Sequence, residues 1–270
     1  MRGEMALCTL SAINVAKVTT DEQYERTAYT IICMLNKLID EAEFYAHSIR
    51  RDLRNRRSLG VGITGLAEHL HNVGKSYSDK DYIEEIAERH YYFLLKASQR
   101  YAREHCVIVE GIKKNWLPID TKKSKKKPTR DWEALRGLHR ANSVLVAHMP
   151  TESSSVFSGS SNGLYPSRGQ VIDKSSRKGK VQFILPKMKE TAWDISTTIL
   201  TEAYAVIQGY TDQGISADYY IRNGKIPMSE LIEHWVLQAK LEVKSMYYQN
   251  TNDDNGGSFM EACESGACVL

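Results

Sequence analysis

The chain has 270 residues, 42% hydrophobic and 26% charged, enough for one sizeable core or two small ones in an ordinary soluble protein. A formal charge of +3 is too small to argue for nucleic acid, and with no run of 18 apolar residues and no signal sequence the expected setting is the cytoplasm. Five cysteines at irregular spacing (Cys8, Cys33, Cys106, Cys263 and Cys268) exclude a secreted disulfide framework; in a reducing compartment a close cysteine pair points to exchange chemistry.

Residues 5–13 alternate as a strand, with Ala6, Cys8, Leu10 and Ala12 on one face. Nothing ahead of this strand can pair with it, which points to a neighbour from another polypeptide. Residues 21–39 form a helix, opened by Thr20 as N-cap, with Tyr24, Ala28, Ile31, Leu35 and Leu38 at helical spacing and Cys33 as a small buried hydrophobe. An arginine-rich stretch, 50–57, leads into Gly60-Val-Gly-Ile-Thr-Gly65. This satisfies G-x-G-x-x-G, but a dinucleotide fingerprint needs an apolar strand immediately before it, so close backbone packing at a helix start is expected instead. Ser78 or Asp79 caps a long helix over 81–105, buried through Ile83, Ile86, Tyr91, Leu94, Leu95 and Ala97 and closed by a structural Cys106.

Residues 122–128 are a basic surface loop without the interleaved aromatics that stack on bases. A short helix over 131–140 precedes a strand over 143–149. Then follows Pro150-Thr-Glu-Ser-Ser-Ser155, with hydroxyls at a strand-to-helix junction. Such a junction needs capping, and its free N–H groups also suit an anion. Residues 159–177 read as loop with a short strand at 170–172, 180–186 as strand, 190–208 as helix and 214–220 as strand. A last helix starts at Ser229 and carries Ile232, Trp235, Val236, Ala239, Val243 and Met246 as one stripe, ending at Tyr247 and Tyr248. Strands separated by helices indicate an α/β protein.

Residues 250–258 are too polar to offset the entropy of ordering and read as a tether. Beyond them, Cys263 and Cys268 are separated by Glu-Ser-Gly-Ala, flexible enough to bring the sulfurs together. A dithiol on an arm can be reduced in one place and deliver electrons in another. Two thiols without a nearby histidine make only half a zinc ligand set, so no metal site is expected.

Tyr247-Tyr-Gln-Asn-Thr251 and the terminal Cys263-Glu-Ser-Gly-Ala-Cys268 resemble the C-terminal end of the large (alpha) subunit of class I ribonucleoside-diphosphate reductase. Leu7-Cys-Thr-Leu-Ser-Ala12, Arg57-Ser-Leu-Gly-Val-Gly62 and Met149-Pro-Thr-Glu-Ser-Ser154 are similar to the same family in the same order. The resemblance implies the C-terminal half of a ten-stranded strand-helix barrel over 1–249, followed by a flexible redox-active tail over 250–270. It also implies roles. Pro150, Thr151, Glu152, Ser153 and Ser154 would form the substrate diphosphate loop, with Thr151, Ser153 and Ser154 as donors. Cys8 would be one substrate-reducing thiol, Tyr247 and Tyr248 a radical path, and Cys263 and Cys268 the carrier reset by thioredoxin or glutaredoxin.

The family's Asn-x-Cys-x-Glu segment, which holds the radical cysteine, has no counterpart here, nor do the second redox cysteine and the effector regions. The resemblance therefore implies a fragment, apparently of a split gene, that works only with a complementary N-terminal chain and a small (beta) subunit. No cofactor is expected on this chain. The di-metal tyrosyl radical belongs to the small subunit and the ATP and dNTP effectors to the missing part. Two alternatives are a non-catalytic relic that modulates a reductase and a stand-alone dithiol oxidoreductase using Cys263 and Cys268.

Overall fold

In the computed structural model, residues 3–109, 117, 127–176, 179–185, 188–222, 227–252 and 260–261 are described. The central feature is a row of parallel strands. Strand β1 (Leu10–Asn14) pairs in parallel with β2 (Gly60–Thr64), Leu10 opposite Gly60 and Asn14 opposite Thr64. On the other side of β2 runs the extended stretch 144–148, joined by Leu59 N–H to the Val144 carbonyl at 3.0 Å and Val61 N–H to the Leu145 carbonyl at 2.8 Å. That stretch in turn meets 213–216 through a bridge between His148 and Ile215. The chain continues into β5 (Ala217–Arg222), which pairs in parallel with β6 (Met246–Asn252). A separate antiparallel hairpin, β3 (Val171–Ser176) and β4 (Gly179–Ile184), carries the two-residue β7 (Met260–Glu261) along its β3 edge.

Helices pack against the row. Helix α1 (Asp21–Glu41) opens on a capping box in which the Thr20 hydroxyl accepts the Gln23 N–H and the Gln23 side chain accepts the Thr20 N–H. Its buried face runs through Tyr24, Ala28, Ile32, Leu35 and Ile39, so Ile31 is half-buried and Leu38, expected inside, is exposed. Helix α2 (His47–Arg56) ends at Arg57, which adopts a left-handed backbone (φ 47°) and points a buried guanidinium at Asn36 and Asp40. That fork holds the Asp40 carboxyl below its ordinary range through direct hydrogen bonds. Helix α3 (Leu66–Asn72) follows β2, and α4 (Lys80–His105) packs against α1 with every predicted core position buried. The short α5 (Glu152–Phe157), α6 (Thr197–Gln208) and α7 (Met228–Lys240) are the other α-helices among the described residues. One contiguous core links Ile13, Val61, Leu94, Leu145, Tyr204 and Tyr219 across strands and helices.

Several sequence-based expectations need correction. The first strand begins at Leu10, not at residue 5, and Cys8 is exposed ahead of it. Gly60–Thr64 is a fully buried strand, not a helix start, although the expected close packing is real: a Cβ on Gly62 would lie 2.9 Å from the Ala147 carbonyl oxygen and from the Met149 sulfur. The helix expected over 131–140 shrinks to a single 3-10 turn, Glu133–Leu135, and 143–149 is extended but irregular. Cys33 is only half-buried and Cys106 is an exposed left-handed C-cap. The α7 stripe faces outward: Ile232, Trp235 and Val236 are exposed. What turns inward is His234, edge-on to Tyr219 at 4.3 Å and within 2.6 Å of Gln238 Nε2. A paired polar couple four residues apart thus takes the place of apolar packing.

Candidate functional site

The expected phosphate loop lies at the carboxyl ends of β2 and of the 144–148 stretch, where open parallel sheets place their ligands. Thr64 ends β2, and its hydroxyl lies 2.8 Å from that of Thr151 and donates to the Ser161 carbonyl at 3.0 Å. The Thr151 hydroxyl also accepts the Gly163 N–H at 2.9 Å. Asn162 then fastens the loop, its Oδ1 accepting the backbone N–H of Thr151 at 2.7 Å and of Glu152 at 3.1 Å, while its Nδ2 donates to the Glu152 carboxylate at 3.0 Å. Glu152 sits at positive φ (36°), a strained backbone that this clamp supports. Thr151 is consequently buried and engaged, whereas Ser153 and Ser154 are exposed on the first turn of α5, with Pro150 half-buried before them.

Tyr247 and Tyr248 lie on β6, not at the end of a helix. Consecutive residues of a regular strand face opposite ways, so a stacked pair demands an irregularity. One is present. Ala217 pairs with Met246 and Tyr219 with Gln249, so Asp218 alone stands opposite both tyrosines. Two residues against one is a β-bulge, and it brings both rings together: centroids 4.0 Å apart, planes at 49°, hydroxyls at 3.1 Å. The Tyr247 phenol is pushed up to about 12, first by its hydrogen bond to Tyr248, then by burial, and further by the charges of Tyr248, Asp218 and Glu152. Buried Tyr165 links the Thr151 loop and β5 by geometry: its ring lies beside Gly163, whose N–H donates to Thr151, and its hydroxyl donates to the Ser216 carbonyl at 2.7 Å, two residues ahead of Asp218.

Cys8 is not brought to this end. At roughly 3.3 Å per extended residue, the path from Cys8 to Asn14 spans on the order of 20 Å. Cys263 and Cys268 fall outside the described residues. Among the described residues no three histidine, cysteine or carboxylate groups cluster closely enough to hold a metal ion, and no helix is long and apolar enough to cross a membrane. Sequence reasoning missed Asn162, Thr64 and Asp218. The Asn162-Gly163 pair inside a presumed loop was the available signal, since such pairs mark tight turns.

A row of parallel strands backed by helices, with a phenol pair and a hydroxyl-rich turn at one end, defines part of a strand-helix barrel. The family model for the ribonucleotide reductase barrel domain matches residues 2–190, and the chain belongs to that family. It is 35% identical to the ribonucleoside-diphosphate reductase subunit alpha of Haemophilus influenzae over 99% of this chain and 40% of that protein. The corresponding subunit of Enterobacteria phage T4 is 32% identical over the same shares, and reductase 1 subunit alpha of Escherichia coli K12 is 34% identical over 86% of this chain and 35% of its own length. The chain thus spans about 40% of the length of the curated relatives it matches.

Proposed function

We propose that this chain is the C-terminal part of a class I ribonucleoside-diphosphate reductase large subunit, active when assembled with the complementary N-terminal part and a small radical-generating subunit. The observation that carries the reading is the Tyr247–Tyr248 pair, two rings in contact on one side of a strand whose sequence would otherwise hold them apart. A phenol releases an electron and a proton together, and ring contact lets the site of oxidation move from one side chain to the next. The small subunit's radical enters at this pair and ends on a thiol of the complementary part, which takes a hydrogen from the 3′ carbon of the ribose.

On this reading the Thr151 loop orients the substrate diphosphate, with Ser153 and Ser154 offering exposed hydroxyls beside it. The 2′ oxygen leaves as water. Cys8 and a thiol of the complementary part supply the two electrons and two hydrogens and become a disulfide, and the radical thiol then returns its hydrogen to the 3′ carbon. The tail cysteines Cys263 and Cys268 reduce that disulfide by exchange, becoming oxidised themselves, and thioredoxin or glutaredoxin restores them.

The test uses the assembled chains. Tyr247→Phe or Tyr248→Phe should reduce turnover to background while nucleoside diphosphate binding is kept; retained turnover in either would refute the relay. Cys263→Ser should abolish turnover driven by a thioredoxin-type donor and spare part of that driven by a small dithiol. Equal loss with both donors would argue against a carrier arm.

A further inference from the structure

The bulge that brings the two rings together leaves one main-chain donor without a place in the ladder. Where two residues face one, a regular strand-to-strand bond is lost, and a partly buried N–H needs another acceptor. Tyr248 N–H finds it in the Asp218 side chain, Oδ1 at 3.1 Å. Asp218 is the single residue opposite the two tyrosines, only 3% exposed, and its own carbonyl accepts the buried Tyr204 hydroxyl at 3.0 Å. On either side of it, side chains lace the two strands: Ser245 Oγ donates to the Ile215 carbonyl at 2.7 Å and Asn250 Nδ2 to the Tyr219 carbonyl at 3.1 Å. The irregularity is therefore held from both ends and fastened in the middle by a carboxylate.

We propose that Asp218 is the positioning residue for the Tyr247–Tyr248 pair, its carboxylate accepting the N–H that the bulge releases and so keeping consecutive rings on one side of β6. The proposal deepens the relay reading and rests on it for its function. Without that acceptor, sliding one residue toward a regular ladder satisfies the N–H and sends the rings to opposite faces. Asn at the same place keeps an oxygen acceptor and loses only the charge, so the two substitutions separate fastening from electrostatics.

The experiment places 3-fluorotyrosine at position 247 of the 270-residue chain and reads the fluorine resonance with and without Tyr248→Leu. In the native background, removing the neighbouring ring should move the resonance clearly. In Asp218→Ala that response should vanish; in Asp218→Asn it should persist. Turnover of the assembled reductase should follow the same order, falling at least a hundred-fold in kcat for Asp218→Ala and less than ten-fold for Asp218→Asn, with KM for the nucleoside diphosphate unchanged. A full fluorine response in Asp218→Ala, or equal loss of it in both variants, overturns the proposal. The fluorine reading needs no turnover, so it decides the geometry of the pair even if the assembled chains reduce no nucleotide, an outcome that would count against the functional reading instead.

Discussion

Glu88, on α4 and 2% exposed, receives four donors: Thr129 N–H, the Thr129 hydroxyl, Arg130 N–H and Trp132 Nε1. Nothing in the local sequence marks it, because a glutamate inside a long amphipathic helix reads as solvated surface. Glu88→Ala strands those donors in the interior and should cost about 3 kcal/mol, read as a lower urea midpoint with unchanged slope; a loss below about 1 kcal/mol would mean water replaces the carboxylate. At the same scale the identity of Tyr247 and Tyr248 was plain in the sequence while their geometry was not. Adjacent phenols on a strand diverge by default, and only the unequal pairing with β5 brings the rings within 4.0 Å.

At the scale of elements, α1 and α4 were readable because a helix advertises itself locally, through caps and through apolar residues at its own period. Strand β2 was not, because buried on both faces it has no alternation, and its glycines mimic a turn. Those glycines answer to neighbours distant in sequence. Gly62→Ala puts a methyl 2.9 Å from the Ala147 carbonyl and the Met149 sulfur, so β2 or the 144–148 stretch must move. The expected loss is about 2 kcal/mol, measured by thermal unfolding, against a near-neutral Gly169→Ala, where a Cβ meets open space. Equal effects would show that the strands can spread freely. Helix α7 teaches the converse. Its apolar period is real, but Tyr219 and Thr201 capture His234, and that choice turns Ile232, Trp235 and Val236 outward.

Across the whole molecule, four buried histidines whose pKa burial lowers shape the response to acid: His69, His234 and, most strongly shifted, His90 and His148 between strands and helices. His90 bridges the Tyr24 hydroxyl (2.7 Å) and the Val61 carbonyl (2.9 Å), and burial lowers its pKa to about 4. His148 accepts the Ile63 N–H at 3.2 Å, and burial together with the charge of His90 holds it well below 6.5. Both are neutral in the fold, so the unfolded chain binds more protons below pH 6.5, and stability should fall as pH drops from there toward 4. For His90 alone the full loss is about 3 kcal/mol. Unfolding midpoints between pH 7 and 4.5 check this: His148→Asn, which retains an acceptor for Ile63, should flatten the slope, and an unaltered slope would remove His148 from the account.

By itself the sequence determined the α/β class, the long helices, the family and the residue types of the candidate site, because periodicity, capping and short motifs are local properties. Tertiary structure alone decided that β2 is a strand, that α7 faces its apolar side outward, that Asn162 clamps the Thr151 loop, and that Asp218 stands opposite two tyrosines at once. Each of these depends on which remote backbone or side chain completes a hydrogen bond. Partners brought together from far along the chain leave no periodic trace in it.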